Sequence, residues 1–177
     1  FYIDKTEFIK EWWESDDAVT LITRPRRFGK TLVISMLSHF FDIKQNSCEL
    51  FNGLSISYNT ALYFHNLTDR TPLKLDLTFP RNITVHDELI NVHYIENKYY
   101  MIGIEIKELQ DGTKIRIYNK ERTICDIIKS RNKMDPQILN MAVKEYFSQK
   151  DSNYILLMKY AKIFRIEKII RYYSEVL

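Results

Sequence analysis

Gly29, Lys30 and Thr31 stand in succession, and together they have the chemistry to hold a nucleoside triphosphate. A glycine without Cβ lets backbone N–H groups close on phosphate oxygens. The lysine then reaches the β- and γ-phosphates, and the threonine hydroxyl holds Mg²⁺. Arg24, Arg26 and Arg27 add positive charge, and Phe28 completes the run Thr23-Arg24-Pro25-Arg26-Arg27-Phe28-Gly29-Lys30-Thr31. The strict pattern GxxxxGK[ST] asks for glycine where Arg24 stands. Hydrolysis also needs an acidic residue at the end of a second strand, to position metal and water. Leu73-Lys74-Leu75-Asp76 is the nearest candidate, but its alternation predicts a half-exposed strand instead. ATP and Mg²⁺ are therefore the ligands to test at residues 24–31, and ATP hydrolysis is not expected. Two readings stay open: a working nucleotide loop, or the relic of a truncated domain that lacks the sheet to preorganise it.

The elements around the loop are those it requires. Asp4 and Glu7 have capping-box spacing, and Phe8, Ile9, Trp12 and Trp13 give the following helix one apolar face. Ser15-Asp16-Asp17 ends that helix. Ala18 to Ile22 reads as a buried parallel strand. After the loop, Leu32, Met36, Leu37, Phe40 and Phe41 recur at helical spacing. The loop thus joins a strand to a helix whose N-terminal N–H groups and dipole favour anions. This stretch resembles the predicted AAA-ATPase-like family. The resemblance runs from Tyr2-Ile3-Asp4-Lys5-Thr6 through the loop to Leu50-Phe51-Asn52-Gly53-Leu54-Ser55-Ile56. It implies a phosphate loop that tolerates arginine at the first glycine position.

From Tyr58 the texture changes. Asn59 to Leu67 suggests a short helix, and Thr68 to Pro72 a turn. Leu73 to Phe79, Asn91 to Ile95 and Tyr99 to Leu109 read as strands. Asp111-Gly112 is a hairpin signal and Lys114 to Tyr118 the returning strand. The alternation along Tyr99 to Leu109 predicts an antiparallel sheet with one wet face. Helices follow. Asn119 caps one through Lys129, with Ile124, Ile127 and Ile128 inward. Asp135-Pro136 opens another with Ile138, Leu139, Ala142, Val143, Tyr146 and Phe147 on one face. Ser152 caps a third, where Ile155, Leu156, Met158 and Ala161 recur, and Ile166, Ile169, Ile170, Tyr173 and Val176 mark a last one. The expected fold is α+β: a truncated strand, phosphate loop and helix, then a mostly antiparallel sheet and a C-terminal helical subdomain. The expected units are residues 1–56, 57–118 and 119–177.

Residues 57–177 resemble the abortive-infection antitoxin family AbiEi. Three ordered stretches carry the likeness: Thr60-Ala61-Leu62-Tyr63-Phe64-His65-Asn66-Leu67-Thr68-Asp69-Arg70-Thr71-Pro72, then Thr78-Phe79-Pro80-Arg81, then Glu121 to Ile128 with Arg131-Asn132-Lys133-Met134-Asp135. The resemblance implies an antitoxin of a phage-defence toxin–antitoxin system, with a nucleotidyltransferase-like toxin as partner. The family's N-terminal winged helix, which carries autorepression, has the ATPase-like stretch in its place. Toxin neutralisation belongs to the C-terminal module.

Charge is uneven: net −1 over residues 1–56, −3 over 57–111 and +7 over 112–177. The basic third fits nucleic acid or an acidic partner, or a solvated lysine-rich helical surface. Lys129, Arg131 and Lys133 cluster after one helix and are the best candidates for a phosphate or RNA contact. Arg122 reads either as a surface contact or as the i, i+4 partner of Asp126. His65 and Asp69 read as a hydrogen-bonded turn, since no nucleophile or metal partner accompanies them. His86 and His93 are not at ligand spacing. Cys48 and Cys125 lie in no CxxC pattern, which predicts reduced thiols, no zinc and a cytoplasmic setting. No run of about 18 apolar residues is present to span a membrane. No signal-peptide pattern opens the chain; it starts at Phe1, which points to an N-terminus further upstream.

Overall fold

A computed structural model describes residues 54–81, 84–85, 88–108 and 114–176. The phosphate-loop candidates Arg24, Arg26, Arg27, Phe28, Gly29, Lys30 and Thr31, and the Asp111-Gly112 turn, lie outside the described residues.

The described chain runs β1 (Ser55–Ile56), α1 (Tyr58–Phe64), β2 (Leu75–Pro80), β3 (Ile90–Ile95), α2 (Asn97–Tyr100), β4 (Ile104–Glu108) and β5 (Lys114–Tyr118). It continues with α3 (Lys120–Lys129), a 3₁₀ turn (Arg131–Lys133), α4 (Pro136–Ser148), α5 (Tyr154–Phe164) and α6 (Glu167–Val176). Strands gather early and helices late, so the fold is α+β.

The sheet order is β3-β2-β1-β5-β4. β1 with β2 and β4 with β5 are antiparallel, whereas β2 with β3 and β1 with β5 are parallel. The sheet is therefore mixed rather than mostly antiparallel. Alternation reports which side chains share a face; it does not report the direction of the neighbouring strand. β1, only two residues long, fills the middle. Its Ile56 lies opposite both Leu77 and Ile117. Ser55 and Ile56, at the end of the first expected unit, thus belong to this sheet.

β2 corrects a second expectation. It is not half-exposed: Leu75, Leu77 and Phe79 are buried on one face, and Asp76 and Thr78 on the other. Hydroxyls hydrogen-bond along this stretch. Thr78 Oγ1 donates to Ser57 Oγ at 2.8 Å, and Thr60 Oγ1 accepts from the Asp76 N–H at 2.8 Å. Polar alternation here marks a buried hydrogen-bonded layer, not water.

The expected strand from Tyr99 splits. Tyr99 and Tyr100 close α2, the chain turns at Gly103 with φ +76°, and β4 begins at Ile104. Only glycine fits the turn, because an added Cβ would lie 2.7 Å from Arg122 Cβ. Register Glu108↔Lys114 makes β4 and β5 the arms of the expected hairpin.

Two helix caps are as expected. Asn119 accepts from the Arg122 N–H, and Asp135 accepts from the Gln137 N–H with Pro136 behind it. The third cap is Asn153, not Ser152: Asn153 Oδ1 accepts from the Leu156 N–H at 3.0 Å, while the Ser152 hydroxyl donates to Tyr146 O. The inward face of α5 is Leu157, Tyr160, Ala161 and Phe164, and Ile155 is 84% exposed. Two apolar clusters result. One joins the sheet to Ala61, Tyr63 and Phe64 of α1; the other joins α3 to α6 with Leu62 and Leu67. Helix α1 thereby contributes to both. Among the described residues no helix is long and apolar enough to cross a membrane.

Candidate functional site

The parallel register of β2 and β3 sets Thr78 opposite His93 and Asp76 opposite Asn91, so these side chains share one face. His93 Nε2 donates to Asp76 Oδ1 at 2.8 Å, and Asn91 Nδ2 reaches the same oxygen at 3.4 Å. The second oxygen, Asp76 Oδ2, is buried without a partner among the described residues. Tyr58 stacks on the His93 ring at 3.9 Å between centroids and 24° between planes. Its backbone has φ +44°, a conformation that costs a bulky residue about 1–3 kcal/mol. The Tyr58 hydroxyl pairs with Ser130 Oγ at 3.3 Å, and burial pushes the phenol up from its ordinary pKa.

Helix α3 supplies the opposite wall. Its amphipathic repeat turns Ile124, Ile127 and Ile128 into the helical core, and the same helix carries Arg122 and Asp126 one turn apart. The Arg122 guanidinium is fully buried. Its Nε donates to Asp126 Oδ2 at 2.9 Å, and Nη1 donates to Tyr99 O and Ile102 O, each at 2.9 Å. Its faces lie over the rings of Tyr118 (4.4 Å) and Phe164 (4.2 Å). Nη2 has no partner among the described residues. Burial pushes the Asp126 carboxyl up, with Arg122 pulling it back. Arg122 forms the i, i+4 ion pair with Asp126 that one reading allowed, and it is buried rather than spread on the surface.

Between these walls lies a cleft of about 350 Å³. Arg122, Asp126, Lys129, Ser130 and Lys133 line one side, and Tyr58, Thr78 and His93 the other. An adjoining hollow of about 560 Å³ shares Tyr58, His93, Ser130 and Lys133 with it and extends to Asp76. Of the candidate contact residues, Arg122, Lys129 and Lys133 come together here. Arg131 does not line the cleft; it is exposed, and its Nη1 donates to Ile128 O at 3.4 Å.

Tyr58, Asp76 and His93 were not legible as a group. They lie on three elements, and no sequence spacing joins them. The one available signal was Asp76 itself, an acid inside an apolar strand pattern. His65 is an anchor, in keeping with the turn reading: its Nε2 donates to Tyr118 O at 2.7 Å, and burial lowers its pKa to about 4. Asp135 pairs with Arg70 at 2.9 Å, tying the turn after α1 to the start of α4.

An imidazole oriented by a carboxylate can carry a proton, but among the described residues His93 makes no hydrogen bond to a hydroxyl or thiol. No group of three or more His, Cys, Asp or Glu side chains is arranged for a metal ion among the described residues. What the cleft offers is positive charge and hydrogen-bond donors.

A family model described as AAA-ATPase_like, Predicted AAA-ATPase, matches residues 1–171 of the 177. The match includes the phosphate-loop candidates and crosses the boundary expected after residue 56. No curated protein matches the chain.

Proposed function

The chain belongs to the predicted AAA-ATPase family, and on that premise we propose that it binds a nucleoside triphosphate through residues 24–31. The observation that carries this reading is the family match over a loop with the required donor chemistry. Gly29 opens the backbone, Lys30 takes the β- and γ-phosphates, Thr31 takes Mg²⁺, and Arg24, Arg26 and Arg27 neutralise further charge. The donor set fits the triphosphate and the ion. Binding, not hydrolysis, is proposed. The test is calorimetry of the whole chain with ATP and Mg²⁺, beside Lys30→Ala. Binding lost in the variant is expected; equal binding by both chains, or by neither, ends this reading.

A second reading rests on a different observation. The three stretches that resemble AbiEi antitoxins meet in space: Arg70 pairs with Asp135, and Thr78 lines one cleft with Arg122, Asp126, Lys129 and Lys133. In this reading residues 57–177 neutralise a nucleotidyltransferase-like toxin, and Lys129, Arg131 and Lys133 are exposed contacts. Co-expression with such a toxin should restore growth, and Lys30→Ala should restore it equally. No rescue by the parent chain excludes the role.

A further inference from the structure

We propose that the cleft between β3 and the end of α3 is a site for the phosphate of a small phosphate monoester, with Arg122, Lys129 and Lys133 as its cationic wall. Arg122 carries a full charge at zero exposure, and one of its nitrogens, Nη2, has no acceptor among the described residues. A buried N–H without a partner is costly, and an anionic oxygen is the acceptor that offsets most of that cost. Two cations also converge on one ring: Arg122 Cζ lies 4.2 Å and Lys129 Nζ 5.3 Å from the Phe164 centroid. Lys133 adds a third positive charge to the cleft. The one carboxylate among the described residues of the wall, Asp126, is already engaged by Arg122 Nε. The cleft therefore holds more positive than negative charge. Ser130 adds a hydroxyl, and the donors come from α3 and from the turn after it rather than from one plane. A tetrahedral oxyanion matches donors spread in this way better than a planar carboxylate does.

The experiment uses the whole chain with Lys30→Ala, so that any binding by the 24–31 loop is removed and the two proposals fail separately. Inorganic phosphate and adenosine 5′-monophosphate are titrated by calorimetry at low salt. Saturable binding at one site is expected. Lys129 and Lys133 are exposed, so Lys129→Gln and Lys133→Gln should fold normally. Each should weaken binding about tenfold, the loss of one charge-assisted contact. Arg131→Gln removes an equal charge from the same turn but outside the cleft, and should leave the affinity within about twofold. Tighter binding of the nucleotide than of free phosphate identifies a nucleotide as the source; equal affinity identifies phosphate itself. The proposal is overturned if neither probe binds. It is also overturned if Arg131→Gln weakens binding as much as the cleft variants do, which would mean a diffuse basic surface.

Discussion

Replacing Arg122 with alanine should be among the most damaging single changes in the described fold. The guanidinium makes three hydrogen bonds, to Asp126 Oδ2, Tyr99 O and Ile102 O, and fills the space between the Tyr118 and Phe164 rings. Its loss leaves a buried carboxylate without its counter-charge, which costs about 3–5 kcal/mol. The two carbonyls of the α2 turn lose their donor as well, so about 4 kcal/mol is a conservative figure. At an m-value of about 2 kcal/mol/M, the urea midpoint should fall by about 2 M. Equilibrium unfolding followed by tyrosine fluorescence reads this directly. Two controls separate the causes. Arg122→Met combined with Asp126→Leu should recover most of the loss, because a buried pair contributes little beyond an apolar pair of the same volume. In Arg122→Ala alone, the deficit should narrow as the pH falls. The folded Asp126 carboxyl, raised by burial and no longer pulled back, takes up its proton before the unfolded one does. A loss below about 1 kcal/mol in Arg122→Ala would falsify the description of this residue as buried and paired.

Three further outcomes are expected. His65 titrates at about 4 in the folded chain and near 6.5 in the unfolded one, so the unfolded state binds the proton first. Stability should be full above about pH 6.5 and fall by about 3 kcal/mol as the pH drops to 4, and His65→Gln should flatten that part of the pH–stability curve. Gly103→Ala should cost more than about 1 kcal/mol, because it sets a Cβ against Arg122 Cβ and Asn119 Oδ1 at positive φ. A thermal melt within 1–2 degrees of the parent, roughly the effect of a few tenths of a kcal/mol, would contradict the turn. Asp135→Ala removes both the α4 cap and the Arg70 ion pair. It should lower the denaturant midpoint, mostly through the lost cap, since the pair is exposed.

Local chemistry was legible in the sequence. The hairpin arms, the Asn119 and Asp135 caps, and helix α3 with its inward isoleucines depend on neighbours a few residues apart, and those neighbours are adjacent in sequence. The phosphate-loop candidates are read in the same way, as types at a fixed spacing, and lie outside the described residues. Three further features depend on residues that only the folded chain brings together. β1 is too short to carry a pattern, yet it divides the sheet and makes it mixed. Arg122 looks like any surface arginine on a helix until Gly103 brings the α2 turn against it and Tyr118 and Phe164 close over it. The cleft takes Tyr58 from α1, His93 from β3 and Lys133 from the turn after α3. Its charge and its unpartnered buried atoms arise from the packing of elements dozens of residues apart, because burial and register are properties of the assembled core and not of any one segment.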